Sequence, residues 1–256
     1  MTLTVTSLVM GAFGAFLRWL QNRMAFETDT GLPVSGATAS VIFGIYCVLM
    51  VCGMLGVVLL HRRRMAAPAD AEEALRVEGV IPVVIGWVLC AAFSVAGLRL
   101  MFTAGDGDFP LLQRLFGAFS ILAGVCLPVL PARRVYEDVS LLGRRAAAVL
   151  LCLFYSYWLV FCYLSNIQRP VLWSYAPEIL AVAAATMAAY YVAGWFYGRV
   201  KPWAAVFCLQ LSVFFSLCAL PDASGTALTV LMAASAGFLT MVEYIISSNL
   251  RDAPGK

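Results

Sequence analysis

Four arginines, Arg18, Arg99, Arg114 and Arg169, stand at the ends of long apolar runs, each within a few residues of polar or acidic side chains. A guanidinium offers planar, paired N–H donors that match a carboxylate or a phosphate. Arg99 shares a helical face with Ala92, Val95 and Ala96, and Arg114 shares one with Gly117, Ala118 and Ile121. Small residues mark the faces on which helices meet inside a membrane, so both arginines are expected to point into a bundle. With Arg18, Arg169, Glu27 and Asp29 they are expected to line a polar vestibule for a small anionic solute. The competing expectation is that each arginine snorkels to the interface or pairs with Glu27, Asp29, Asp106 or Asp108.

Glu243 is the one acid well inside an apolar run, on a face with Ala233, Ala236, Thr240 and Ser247. An ionisable group within a membrane helix points to function by default. This one lies near the end of its run, so a structural ion pair with Arg199 or Lys201 is expected. Gln210, in mid-run, is expected to form an interhelical hydrogen bond.

Several chemistries are excluded by residue type. The single histidine, His61, sits at a run's end beside Arg62, Arg63 and Arg64, which argues against paired-histidine haem ligation and Ser-His catalysis. No lysine lies inside an apolar run, which removes Schiff-base chemistry, and no phosphate-binding Gly-x-x-x-x-Gly-Lys motif is present. An ATP-driven role would need another subunit. All eight cysteines fall inside apolar runs without a Cys-x-x-Cys pair; they are expected to be small packing residues rather than disulfides or metal ligands. No cofactor, no metal and no catalytic residue is assigned, and a non-enzymatic role is expected.

Gly105-Asp106-Gly107-Asp108 resembles the Gly-x-Gly-Asp pattern of intramembrane aspartic peptidases, including the polytopic prepilin peptidases. That resemblance would make Asp108 one carboxylate of a dyad and Asp29, ahead of Leu32-Pro33, the other. The chain departs from the pattern: Pro110 stands in place of the basic residue expected after the motif, and Asp29 is wrongly spaced from Pro33. A polar turn is the better reading of this segment. The stretch Phe26-Glu27-Thr28-Asp29-Thr30-Gly31-Leu32-Pro33, just after a short first span, resembles a family of uncharacterised polytopic membrane proteins of Gram-positive gut bacteria. The resemblance implies a bacterial plasma membrane and no particular activity.

The elements that must hold these residues follow from composition. Of 256 residues, 62% are apolar and only 12% charged, with a mean hydropathy of +0.90; soluble domains carry about 45–50% and 25%. A bilayer span takes roughly 20 apolar residues. An all-α polytopic membrane bundle of about eight helices is therefore expected as a single domain over 1–256, with spans near 3–20, 40–60, 80–101, 110–130, 147–164, 177–197, 203–220 and 227–246. The first is short and the weakest of the set, since it carries Thr4, Thr6 and Ser7, but Gly11, Gly14 and Ala15 give it a small face for close helix contact. Residues 65–79 read as a short soluble helix, with Asp70 and Glu73 near its start and Gly79 at its end. Pro128 and Pro131 are expected to break the last turn of the fourth span. No internal repeat is visible, so an inverted-repeat transporter is not supported.

Orientation follows from where the cations lie. Of seventeen Lys and Arg residues, Arg62, Arg63, Arg64, Arg76, Arg133, Arg134, Arg144, Arg145, Arg199, Lys201, Arg251 and Lys256 fall on one set of alternate ends, against Arg18, Arg23, Arg99, Arg114 and Arg169 on the other. The positive-inside rule puts the larger set, and both termini, in the cytoplasm. The expected partners are membrane lipid and a small anionic solute; with no basic stripe outside short loops, nucleic acid is excluded. The lead expectation is a permease or solute-binding membrane subunit. The alternative is a structural or sensory component whose segments 62–78 and 133–145 dock a cytoplasmic protein partner.

Overall fold

In hydrocarbon every backbone N–H and C=O must be satisfied within the protein, which turns long apolar runs into helices. A computed structural model of the chain describes residues 2–27, 32, 34, 36–62, 65–66, 71–77, 79–104, 109–131, 140–167, 174–223 and 225–252. Eight helices make the bundle: α1 (Thr2–Met24), α2 (Thr38–His61), α4 (Ile81–Phe102), α5 (Pro110–Cys126), α6 (Leu141–Asn166), α7 (Ala176–Trp195), α8 (Pro202–Ala219) and α9 (Thr226–Asn249), with a four-residue α3 (Ala71–Ala74) between α2 and α4. Seven of the eight are long and apolar enough to cross a membrane. The protein is a multi-pass membrane helix bundle.

The fourth span, α5, is the short one. Its helix stops at Cys126, and Leu127–Leu130 continue as turns, with the Val129 and Leu130 N–H groups both donating to the Cys126 carbonyl. Pro128 and Pro131 lack the N–H that a further turn would need.

Burial divides the bundle into centre and edge. Of the most apolar stretch of α8, 72% is buried within the bundle, and of that of α9, 67%, against 17% for α2. α8 touches α1, α2, α7 and α9, and α2 lies at the margin with its main contacts on α1 and α8. The α1 contact with α8 runs through the small face: a Cβ at Gly11 would come within 2.6 Å of Leu217 Cδ1, and one at Gly14 would strike Cys218 Sγ. α4 and α5 approach as closely. At their crossing Gly97 and Gly117 face each other's carbonyls, and a Cβ on Gly97 would lie 2.6 Å from Gly117 O. Beneath that crossing Phe93, Phe116, Phe154 and Trp158 form a buried aromatic core, the Phe116 and Phe154 rings stacked at 5.9 Å.

Three expectations are corrected by the structure. Among the described residues, the soluble helix expected over 65–79 is reduced to one turn. Met65–Ala66 pairs antiparallel with Arg251–Asp252 as strands β1 and β2, and helix is confined to α3 among the described residues of the segment. The physical cause is competition from the bundle end: Leu75 and Val77 are buried against it, and the Asn249 amide donates to the carbonyls of Ala74 (3.0 Å) and Arg76 (2.8 Å). This segment therefore covers its own bundle. α6 starts six residues before the expected span, because Ser140 caps it by accepting from the Gly143 N–H at 3.2 Å, so Arg144 and Arg145 ride on a helix. α1 runs on to Met24, which makes Gln21, Asn22 and Arg23 helical too.

The pairing of β1 with β2 puts the end of α2 beside the end of α9, and the Ser7–Glu243 hydrogen bond puts the start of α1 there as well. That end carries Arg62, Arg145, Arg199 and Lys201 and is the basic end. The opposite end carries Arg18, Arg99 and Arg114.

Candidate functional site

At the Arg18 end, the last turns of α1 present Arg18, Gln21 and Asn22 on one face, at i, i+3 and i+4. Arg18 is 1% exposed. Its Nε donates to both carboxylate oxygens of Asp222, at 2.7 and 3.0 Å. One terminal nitrogen donates to Gln21 Oε1 at 2.7 Å and the other to the Ser174 carbonyl at 3.1 Å. Asn22 Nδ2 donates to Asp222 Oδ1 at 2.6 Å, and Gln21 Nε2 to Ser40 Oγ at 3.0 Å. The rings of Phe26 and Phe43 lie 5.9 and 5.7 Å from the guanidinium carbon. Arg18 thus ties α1 and α2 to the segment before α7 and to the 3-10 turn Leu220–Asp222 between α8 and α9. It is a clasp, and Asp222 neutralises it.

Asp222 also forms part of the wall of a cavity of about 410 Å³ at this end, within the range of small-molecule sites. The ends of α4 and α6 contribute Arg99, Thr103, Ser165 and Asn166; the starts of α5, α7 and α9 contribute Gln113, Ser174, Glu178 and Thr226. Three N-terminal flanking residues, Phe109 of α5, Tyr175 of α7 and Gly225 of α9, all line it, and none of these helices has a side-chain cap hydrogen bond at that residue. Gly225 has φ +89°, a left-handed conformation that side chains resist, and it turns the chain into α9 at the cavity wall. Uncapped first-turn N–H groups and the positive ends of helix dipoles favour negative charge.

Arg99 sits at the edge of this cavity in the last turn of α4. Cations in that position often satisfy the final carbonyls, but here other groups do so. The Arg99 carbonyl accepts from the Thr103 N–H (3.0 Å) and hydroxyl (2.9 Å), and the Leu100 carbonyl from Gln113 Nε2 (3.1 Å). The Arg99 guanidinium has no hydrogen-bond or ion-pair partner among the described residues. Arg99 and Arg18 therefore differ in kind: one is consumed by structure, the other borders open space.

The remaining residues singled out by sequence are distributed as follows. Arg114 is exposed on the first turns of α5 and does not line the cavity, although Gly117, one turn on, is buried against α4. Glu27 is exposed, and its N–H donates to the Leu32 carbonyl at 3.0 Å. Asp29, Asp106, Asp108 and Arg169 lie outside the described residues. Glu243 is fully buried, but it pairs with neither Arg199 nor Lys201. Its Oε2 accepts from Ser7 Oγ at 2.9 Å, while its Oε1 has no partner among the described residues. Both cations point instead to the bundle surface between α6 and α7. Gln210 is buried with its Oε1 likewise unpartnered, so the expected interhelical hydrogen bond is not made.

Sequence reasoning missed Asp222 and the cavity role of Glu178. The signal for Asp222 was present: it is the only acid in the short Pro221–Gly225 connection, which alternation places at the Arg18 end. No family model, no curated protein and no solved structure matches this chain.

Proposed function

We propose that the protein is a permease or the solute-binding membrane subunit of an uptake system, and that the cavity at the Arg18 end holds a small solute through an anionic group. The positive-inside rule turns this cavity outward and sets both termini in the cytoplasm of a bacterial cell. One observation carries the reading: the unpartnered Arg99 guanidinium borders a cavity onto which three uncapped helix starts open. Asp222 does not oppose an anion there, because Arg18 already balances it. The clasp holds the α8–α9 turn in place, so the wall is set before the solute arrives, which lowers the ordering cost of binding.

The test is thermal stabilisation of the detergent-purified protein by a panel of monocarboxylates, dicarboxylates and phosphate esters. At least one class is expected to raise the melting temperature of the wild type. Arg99→Gln should weaken that solute by about 1.5–3 kcal/mol, the worth of a hydrogen bond to a charged group, or roughly tenfold to hundredfold in Kd. A panel without effect, or an Arg99→Gln protein that binds as well as the wild type, removes the proposal.

A further inference from the structure

A second cavity, of about 550 Å³, opens at the basic end between α6 and α7. It is built by the way α7 stops. The Gly198 N–H donates to the Trp195 carbonyl at 3.2 Å and the Arg199 N–H to the Gly194 carbonyl at 2.9 Å, with Gly198 at φ +72°. This Schellman turn folds the chain back on the helix end and brings Arg199 and Lys201 beside the last turns of α7 that they have just left. Both line the cavity, with Val149 and Leu153 of α6 as its apolar floor. Arg145 adds a third cation near the rim, its guanidinium 5.8 Å from the Tyr197 ring centre and its Nε buried without a partner among the described residues. Tyr190 and Tyr197 are 51% and 58% exposed, and no acidic side chain occurs among the lining residues.

We propose that this cavity is a binding site for an anionic phospholipid of the leaflet at the basic end. Its two-part character selects that occupant. The cations at the rim match a phosphate, to which guanidinium and ammonium groups donate charge-assisted hydrogen bonds. The apolar floor, running along the exposed face of α6 from Val149 to Leu153, matches the start of an acyl chain, for which a water-soluble anion has no use. Tyrosines at the level of the cations sit where aromatic side chains gather at a bilayer interface, and basic pockets between helices on the cytoplasmic side suit anionic headgroups. The site lies at the opposite end from the solute cavity and shares no lining residue with it.

Native mass spectrometry of the detergent-purified protein tests this by titration with cardiolipin, phosphatidylglycerol and phosphatidylcholine. The anionic lipids are expected to bind at least tenfold more tightly than phosphatidylcholine. An Arg199→Gln, Lys201→Gln double variant should lose that preference while its lipid-free melting temperature stays unchanged, since both side chains are exposed. Val149→Trp, which fills the floor without touching a charge, should weaken all three lipids together. Inorganic phosphate at millimolar concentration should not displace the lipid. Equal retention of anionic and zwitterionic lipids, a preference that survives the double variant, unaltered lipid binding by Val149→Trp, or displacement by inorganic phosphate would each overturn the proposal.

Discussion

Replacing Asp222 with alanine is expected to destabilise the protein by about 3–5 kcal/mol, the cost of stripping one partner from a buried ion pair. The loss is large because Arg18 is 1% exposed and carries its charge regardless of its surroundings. Without the carboxylate its Nε loses both Asp222 oxygens as acceptors, and Asn22 loses its bond to Asp222 at the same time. Asp222→Asn keeps one acceptor oxygen and removes the charge, so its effect should lie between those of the wild type and the alanine variant. An Arg18→Met, Asp222→Leu double variant should be less damaged than the sum of its single changes, since it leaves no unpaired charge in the core. Thermal unfolding in detergent, followed by tryptophan fluorescence, measures these variants and the two single changes of the pair. An alanine variant as stable as the wild type would show that the clasp carries no weight.

The second large effect is expected at the α4–α5 crossing. A leucine at Gly117 would put its Cβ 2.5 Å from Gly97 O and 2.6 Å from Met101 Cγ, and a backbone carbonyl cannot step aside as a side-chain tip can. The helices must separate, at a cost of at least the about 1–3 kcal/mol typical of overpacking, with close interhelical packing lost as well. The damage should extend to the cavity, because α4 carries Arg99 and α5 carries Gln113 on either side of that crossing. Gly44→Leu is the control. Gly44 lies in α2, and a Cβ there meets nothing within 4 Å, so the change should leave the stability within about 0.5 kcal/mol of wild type. Since glycine-to-leucine raises helix propensity at both sites, comparable losses at both glycines would mean that the close crossing does not set the outcome.

Much of the frame is legible in the sequence because membrane helices are dictated by length and hydropathy, and both are local properties. The eight segments, the turn at Pro128 and the small face at Gly11 and Gly14 follow from such signals. Which helix is central does not. α2 is the most apolar of the long helices and the least buried, whereas the less apolar α9 is mostly buried, because lipid is as good a solvent for leucine as a protein core. The segment after α2 escaped local reasoning for a different cause. Its alanines and glutamates favour helix, but Leu75, Val77 and Asn249 tie it to the bundle end by contacts 170 residues and more apart in sequence.

The cavity shows the same division. That arginines at one end would include a cation facing open space could be argued from their types and neighbours, and Arg99 lines the cavity. Arg18 could not be told from Arg99 in that way. Its fate depends on Asp222, 204 residues distant, which meets it only because α1 and α8 lie side by side in parallel. Arg114 fails for a geometric reason. Gly117 marks a contact face, but a residue three positions away on a helix is turned by some 60° from it, enough to leave the arginine outside.

The claim that the cavity at the Arg18 end is an outward solute site can be tested most directly at Thr226, an exposed residue of its wall. A cysteine in its place, in sealed right-side-out vesicles, is to be challenged with a membrane-impermeant, charged thiol reagent. The wild type, whose own cysteines lie in the apolar helices, serves as the background. The account predicts labelling from the outside, slowed at least tenfold by whichever carboxylate or phosphate ester stabilises the wild type, with that protection lost when Arg99→Gln is added. Labelling only after the vesicles are opened, or labelling that no anion slows, would contradict it.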